Sequence, residues 1–213
     1  MDLDLTEDQE AIRDVFADFF TSETGPERAR AAEPVGFDAA AWERLIETGA
    51  PGMGVAADLG GGGASLADLA VVAEEAGAQI APLPLVDHQV TARLLASVGG
   101  CDDDILSGAA IAGLAVRPVE DGTARTVPTG AVTGRLVALD GDRLIAVDGP
   151  PGDPLANHGC LPLAHREVSK ATVLTKGPEA IAAYDRALDE WRTLSASTLF
   201  GITRTALVLG VAY

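Results

Sequence analysis

Residues 54–65 read Gly54-Val55-Ala56-Ala57-Asp58-Leu59-Gly60-Gly61-Gly62-Gly63-Ala64-Ser65, and the fold turns on how this stretch is read. Four consecutive glycines lead into Ser65-Leu66-Ala67-Asp68, where the serine is suited to cap a helix amino terminus. Two readings are open on physical grounds. The N–H groups of such a run can cradle a phosphate at the helix start. Equally, the run is a tight connection that needs positive φ.

Outward from this stretch the chain reads as helices. After Ser65, Leu69, Val72, Ala73 and Ala76 recur at helical spacing up to Gly77. Upstream, Thr6-Glu7-Asp8-Gln9 is a capping box, and Ile12, Val15, Phe16, Phe19 and Phe20 form one apolar stripe that Gly25-Pro26 ends. Asp38 caps a second helix that buries Trp42, Leu45 and Ile46 and stops at Gly49. A further helix runs from about Val86 through Leu94, Leu95 and Val98 and closes at Gly99-Gly100.

The pattern changes between Cys101 and Ala109. Short apolar runs bounded by glycine, proline and aspartate predict strands over Ala110–Val116, Ala131–Leu139, Arg143–Val147 and Ser169–Leu174, with Asp140-Gly141 as a hairpin turn. Residues 149–154, rich in proline and glycine, predict a loop. Gly177-Pro178-Glu179 restarts a helix that runs to Tyr213. Trp191, Leu194, Ser195, Thr198, Ile202 and Leu209 lie along one side of it, and Gly201, Ala206 and Gly210 are small enough to admit a close neighbour. The expected class is α+β and multidomain. Residues 1–108 read as an all-α amino-terminal domain, 109–176 as a small β middle domain and 177–213 as one long helix.

Composition narrows the function classes. A formal net charge of -17 repels a phosphate backbone and gains nothing from counterion release, so nucleic acid and anionic membranes are not expected partners. Met1-Asp2-Leu3-Asp4 has neither the basic nor the apolar segment of a signal peptide, and the cytoplasm is the expected location. Two cysteines, Cys101 and Cys160, are too few for a disulfide framework and read as incidental thiols. His88, His158 and His165 are scattered, with no HExxH and no CxxC, so no metal site is expected. No nucleophile elbow, Walker A loop or dinucleotide-binding glycine fingerprint is present.

The 54–65 segment resembles the "G-v-P-E-x-x-G-G-x-G-x-S" element of acyl-CoA dehydrogenases. Ala73-Glu74-Glu75-Ala76-Gly77 and Ala81-Pro82-Leu83-Pro84 then look like the family's "x-E-E-x-G" and "a-P-x-P" elements. Leu5-Thr6-Glu7-Asp8-Gln9 and Trp42-Glu43-Arg44-Leu45 with Gly49 resemble its first helices. Leu194-Ser195-Ala196 and Gly201-Ile202-Thr203-Arg204-Thr205-Ala206-Leu207 look like the start of its carboxy-terminal helical domain. Order and spacing together span nearly the whole chain. The resemblance implies an FAD-dependent flavoprotein acting on an acyl-CoA thioester, in which a glutamate removes the α-proton and the flavin takes the β-hydride. It also implies association, as a homo-oligomer or as a heteromer with a paralogous subunit. For the fold, it implies that the middle domain over 109–176 is antiparallel and β-barrel-like and that the helix over 177–213 is the first of a truncated carboxy-terminal helical bundle.

Departures from the family pattern set the expectations for the site. Leu114-Ala115-Val116-Arg117-Pro118 stands where the family has "[ST]-E-P", with Val116 for the hydroxyl residue and Arg117 for the acid. Ala131-Val132-Thr133-Gly134-Arg135 keeps the glycine and a basic residue of "W-x-x-x-G-x-K" and lacks the tryptophan. Gly134 and Arg135 are therefore the candidate cofactor contacts, with a turn glycine and a surface arginine as the alternative reading. The family's catalytic glutamate falls beyond Tyr213, so no residue here is assigned as the base. Glu74 and Glu75 are read as helix structure. A non-catalytic subunit that pairs with a competent paralogue is the second functional reading.

Overall fold

The computed structural model describes residues 4–33 and 35–213; the amino-terminal Met1–Leu3 of the signal-peptide argument lies outside the described residues. The helical part comprises α1 (Glu7–Glu23), α2 (Pro26–Ala32), α3 (Ala39–Glu47), α4 (Leu66–Ala78), α5 (Leu85–Ser97) and α6 (Asp103–Ser107). The strands are β1 (Ala112–Leu114), β2 (Thr123–Val127), β3 (Arg135–Asp140), β4 (Arg143–Asp148), β5 (Ala164–Glu167) and β6 (Thr172–Lys176), followed by α7 (Pro178–Ala212). The α+β class is as expected.

Local chemistry sets most boundaries. Thr6 and Ser65 form complete capping boxes, with Gln9 and Asp68 as their reciprocal partners. Phe16 and Phe20 are buried in the α1 stripe, but Val15 lies at its edge and is exposed. Asp38 caps α3 as expected, accepting from the N–H of Ala41. Its Trp42 is buried, donating Nε1–H to the Gly108 carbonyl at 3.0 Å. Gly77 does not stop α4, which continues to Ala78; the glycine serves packing instead.

Strands β1, β3, β4 and β6 form one sheet in that order, and β2 pairs with β5 in another. Pairing is antiparallel except that β1 runs parallel to β3. Gly141, at φ 62, starts the two-residue turn between Asp140 and Arg143, consistent with the glycine-first II′ hairpin preference. Three expected strands begin later than their apolar runs, the first at Ala112 because the Ala110 N–H is still bound to the Asp104 carbonyl of α6. Residues 131–134 form a turn held by the N–H and hydroxyl of Thr133 on the Thr129 carbonyl, and Lys170 adopts φ 66 before β6. Strands β2 and β5 were not expected because their alternation is not hydrophobic: the inward residue of β5 at 166 is an arginine.

One core cluster joins α4 and α5, strands β1, β3 and β4, and the first half of α7, with Tyr184 and Leu194 among its buried members. Beyond Gly201 only Arg204 and Thr205 of α7 are half-buried and the rest is exposed on every side, including Leu207, Val208, Leu209 and Val211. By length and composition alone α7 is apolar enough to cross a bilayer. Its second half nonetheless carries Arg204, which pairs with Glu74 and Glu75 on α4, a geometry built for packing on protein.

Candidate functional site

The glycine run resolves into the connection. The N–H groups of Gly60, Gly61, Gly62, Gly63 and Ala64 donate to the carbonyls of Ala57, Ala56, Gly52, Val55 and Met53 respectively. A Cβ on Gly61 would lie 2.2 Å from the Val55 carbonyl oxygen, so the chain folds back on itself too closely for a side chain. With every one of these amides taken by a carbonyl, none is free to hold a phosphate.

The Glu74-Glu75-Ala76-Gly77 element is a docking face for α7. A Cβ on Gly77 would meet the Thr198 carbonyl oxygen at 2.1 Å, and one on Gly201 would meet that of Glu74 at 2.0 Å. The two backbones therefore cross in near contact, possible only with glycine at both places. Three residues past Gly201, the Arg204 guanidinium binds the Glu74 carboxylate and, at 2.9 Å, that of Glu75. Glu75 is buried, and this charge-assisted pair satisfies it. Both glutamates thus hold a helix, as the sequence reading has them.

A second seam joins α5 to α7. Arg93 makes two parallel hydrogen bonds to Glu190 at 2.9 and 3.0 Å and donates a third to the Gly54 carbonyl. Next to Glu190, Trp191 donates its Nε1–H to Asp87 at 2.9 Å. Loss of water around Asp87 pushes its pKa up to about 6, a rise that the Trp191 hydrogen bond only partly offsets. Sequence reasoning missed both pairs, since Arg93 and Glu190 lie 97 residues apart and no local pattern links them.

The sign of the Asp87 effect follows from linkage. Its folded pKa lies above the ordinary carboxyl value, so its contribution is full below about pH 3.8 and is lost as pH rises through about 6. Asp87→Asn keeps an acceptor for Trp191 and removes the buried charge. The expected result is a gain of about 2 kcal/mol at pH 7.5, roughly 4–8 °C in melting temperature, that vanishes below pH 4. Thermal unfolding at several pH values checks this; an equal gain at all pH values would mean that the charge is not the cause.

Burial pushes the neighbouring His88 down to about 4. Its Nδ1 faces the N–H of Ala112 at 3.1 Å and its Nε2 faces the Ile105 carbonyl at 3.0 Å. That pairing assigns a neutral ring with the proton on Nε2, fastening α5 to α6 and β1. Its ring also meets Trp42 edge-on at 5.4 Å. The role is architectural. Among the described residues no group of three or more His, Cys, Asp or Glu is placed to hold a metal.

In the middle part, the N–H of Ala115 donates to Val137 and its carbonyl accepts from the Tyr184 hydroxyl at 2.8 Å. The next two residues, Val116 and Arg117, offer neither the hydroxyl nor the acid that a flavin meets at this element in the family pattern. As a flavin seat the side chains of this element do not fit. Gly134 donates its N–H to the Ile111 carbonyl, and its own carbonyl accepts from the Gly149 N–H. The Arg135 guanidinium lies between Asp102 and Asp148, at 2.5 and 2.6 Å, tying the α6 cap to the end of β4. Arg166 is buried without a carboxylate, with its donors turned to the carbonyls of Thr133, Gly130 and Gly149.

Residues 6–100 match the family model of the acyl-CoA dehydrogenase N-terminal domain. The chain is 31% identical over 149 residues to acyl-CoA dehydrogenase IpdE2 of Mycolicibacterium smegmatis, covering 68% of this chain and 46% of that protein. Against IpdE2 of Mycobacterium tuberculosis it is 30% identical over 139 residues, or 61% of this chain and 44% of the other. It therefore spans about half the length of the curated relatives it matches. Among solved structures it superposes on a variant of the Tcur3481–Tcur3483 steroid ACAD with a TM-score of 0.83 and 23% identity, over 97% of this chain and 66% of that one. For butyryl-CoA dehydrogenase of Megasphaera elsdenii the TM-score is 0.82 at 14% identity, over 100% of this chain and 70% of that one. For the ChsE4–ChsE5 complex of Mycobacterium tuberculosis it is 0.77 at 21%, over 100% and 68%. At these identities the structural likeness concerns the fold.

Proposed function

Because this chain belongs to the acyl-CoA dehydrogenase family, we propose that it serves as an acyl-CoA dehydrogenase-like flavoprotein subunit in the FAD-dependent α,β-desaturation of an acyl-CoA thioester. FAD, when bound, supplies the hydride acceptor of that chemistry. The observation that carries the reading is the α4–α7 crossing, where the family-like Glu74-Glu75-Ala76-Gly77 element seats the helix that bears Gly201 and Arg204. In this reading residues 1–108, 109–176 and 177–213 are the amino-terminal, middle and incipient carboxy-terminal domains. In the same reading the protein works in the cytoplasm.

A specific observation favours a second role, that of a non-catalytic subunit completed by a competent paralogue. Val116 and Arg117 remove the side-chain contacts that the family pattern offers a flavin. Two of the similar structures are named as a Tcur3481–Tcur3483 steroid ACAD and a ChsE4–ChsE5 complex, which supports a paralogous partner and a steroid-derived acyl group. Gly134 and Arg135 stand in the first reading as the positions where this chain would meet a cofactor, Arg135 by sharing its guanidinium with Asp102 and Asp148; in the second they serve the fold alone.

Co-purification separates the two roles. The chain is expressed alone and together with a paralogous subunit, and the flavin absorbance of each preparation is followed while straight-chain or steroid acyl-CoA is added. Flavin in the chain alone, bleached by acyl-CoA and depleted in Arg135→Gln, is the result for a flavin-bearing subunit. Flavin and bleaching only in the joint preparation, unchanged by Arg135→Gln, is the result for the non-catalytic subunit. Absence of flavin and of desaturation in both preparations would end the family-based proposal.

A further inference from the structure

A groove of about 240 Å³ opens where the Gly54–Leu59 loop, the second half of α5 and the first half of α7 meet. It uses the α7 face made by Ala183, Arg186, Ala187 and Glu190. Tyr184 and Trp191 turn instead to the Ala115 carbonyl and to Asp87. Its walls are apolar at Val55, Leu59 and Leu94, with two arginines and one glutamate among them.

The charges are not equivalent. Glu190 is held by both hydrogen bonds from Arg93, whose remaining bond goes to Gly54. Arg186 is exposed and has no hydrogen-bond or ion-pair partner among the described residues. Arg93 and Arg186 against Glu190 leave one net positive charge over an apolar floor, in a chain whose net charge is -17. A free guanidinium at the rim of an apolar groove suits one kind of small ligand: an alkyl body with a single anionic head that the planar fork can bind through both oxygens. The volume takes about ten non-hydrogen atoms at organic packing density.

We propose that this groove binds a small amphipathic carboxylate, its alkyl part against Val55, Leu59 and Leu94 and its carboxylate on Arg186. The site is separate from the flavin-facing positions and does not rest on the flavoprotein reading. Occupied, it bridges a loop, α5 and α7, so binding stabilises the seat of α7 by mass action.

The test uses the full chain with sodium octanoate, 1-octanol and inorganic phosphate, read by calorimetry and by methyl NMR. Octanoate is expected to bind with a Kd on the order of 1 mM, with shifts centred on Val55, Leu59 and Leu94. Arg186→Gln should weaken it at least tenfold. Ala56→Phe, which fills the groove from an exposed loop position, should abolish it while leaving the melting temperature of the free protein within about 2 °C. Binding of octanol as tight as that of octanoate, equal binding by phosphate alone, undiminished binding to Arg186→Gln, or shifts elsewhere would each overturn the proposal.

Discussion

Gly201→Ala is expected to unseat the second half of α7 and to lower stability by about 3 kcal/mol or more. The added Cβ would lie 2.0 Å from the Glu74 carbonyl oxygen and 2.8 Å from the Ala78 nitrogen. Both are backbone atoms of α4, which cannot swing aside as a side chain can. The helices must separate, and the Arg204 pairs to Glu74 and Glu75 open with them. Buried Glu75 then loses its cation, which adds to the cost. The expected drop in melting temperature is roughly 6–12 °C, with tryptic cleavage appearing at Arg204. Gly210→Ala, on the same helix with open space around it, is the control. There the alanine adds helix propensity and should be neutral or stabilising by up to about 1 kcal/mol. If both variants behaved alike, the close crossing would be wrong.

His88→Leu is expected to cost about 1–3 kcal/mol, because it leaves the Ala112 N–H buried without a partner and removes one of the two donors to the Ile105 carbonyl, which keeps the Gly108 N–H. The leucine is apolar and of similar bulk, so the loss comes chiefly from the orphaned Ala112 N–H. A pH series gives an independent reading. His88 has a folded pKa of about 4, below its ordinary value, so its contribution is full above about pH 6.5 and falls as the pH drops toward 4. That fall is worth about 3 kcal/mol. Asp87 has the opposite slope over nearly the same range. The neighbours therefore largely cancel in the unmodified protein. Removing His88 should expose the Asp87 slope, with stability rising relative to the parent as the medium is acidified from pH 6.5 to 4. Denaturant unfolding at four or five pH values shows this; parallel curves for parent and variant would mean that His88 titrates normally.

Much of the architecture was legible from the chain because its signals are local. A capping box sits within four residues, so Thr6 and Ser65 announce α1 and α4 by themselves. The Asp140-Gly141 turn places β3 against β4 because a two-residue hairpin leaves little freedom of register. Strands β2 and β5 were not legible, since Arg166 occupies an inward position and breaks the hydrophobic alternation that marks a strand. Gly77 has the sequence signature of a helix stop because helices commonly end at glycine; here it admits the Thr198 backbone, a reason supplied by a helix more than a hundred residues away.

The candidate site divides along the same line. Sequence by itself determined the helical and strand-bearing regions, the long closing helix, the family-like order of motifs and the departures at Val116 and Arg117. Each of these depends on residue type or on short-range spacing. Only the tertiary structure decided that the glycine run holds no free amide, that Glu74 and Glu75 receive Arg204, and that Arg93 engages Glu190 while Arg186 stands alone. The glycine amides meet carbonyls of the residues just before them, whereas the ion pairs of Arg204 and Arg93 are chosen across 97 to 130 residues of chain. That choice is made when the faces of α4, α5 and α7 pack together, because burial forces each polar group there to find a partner.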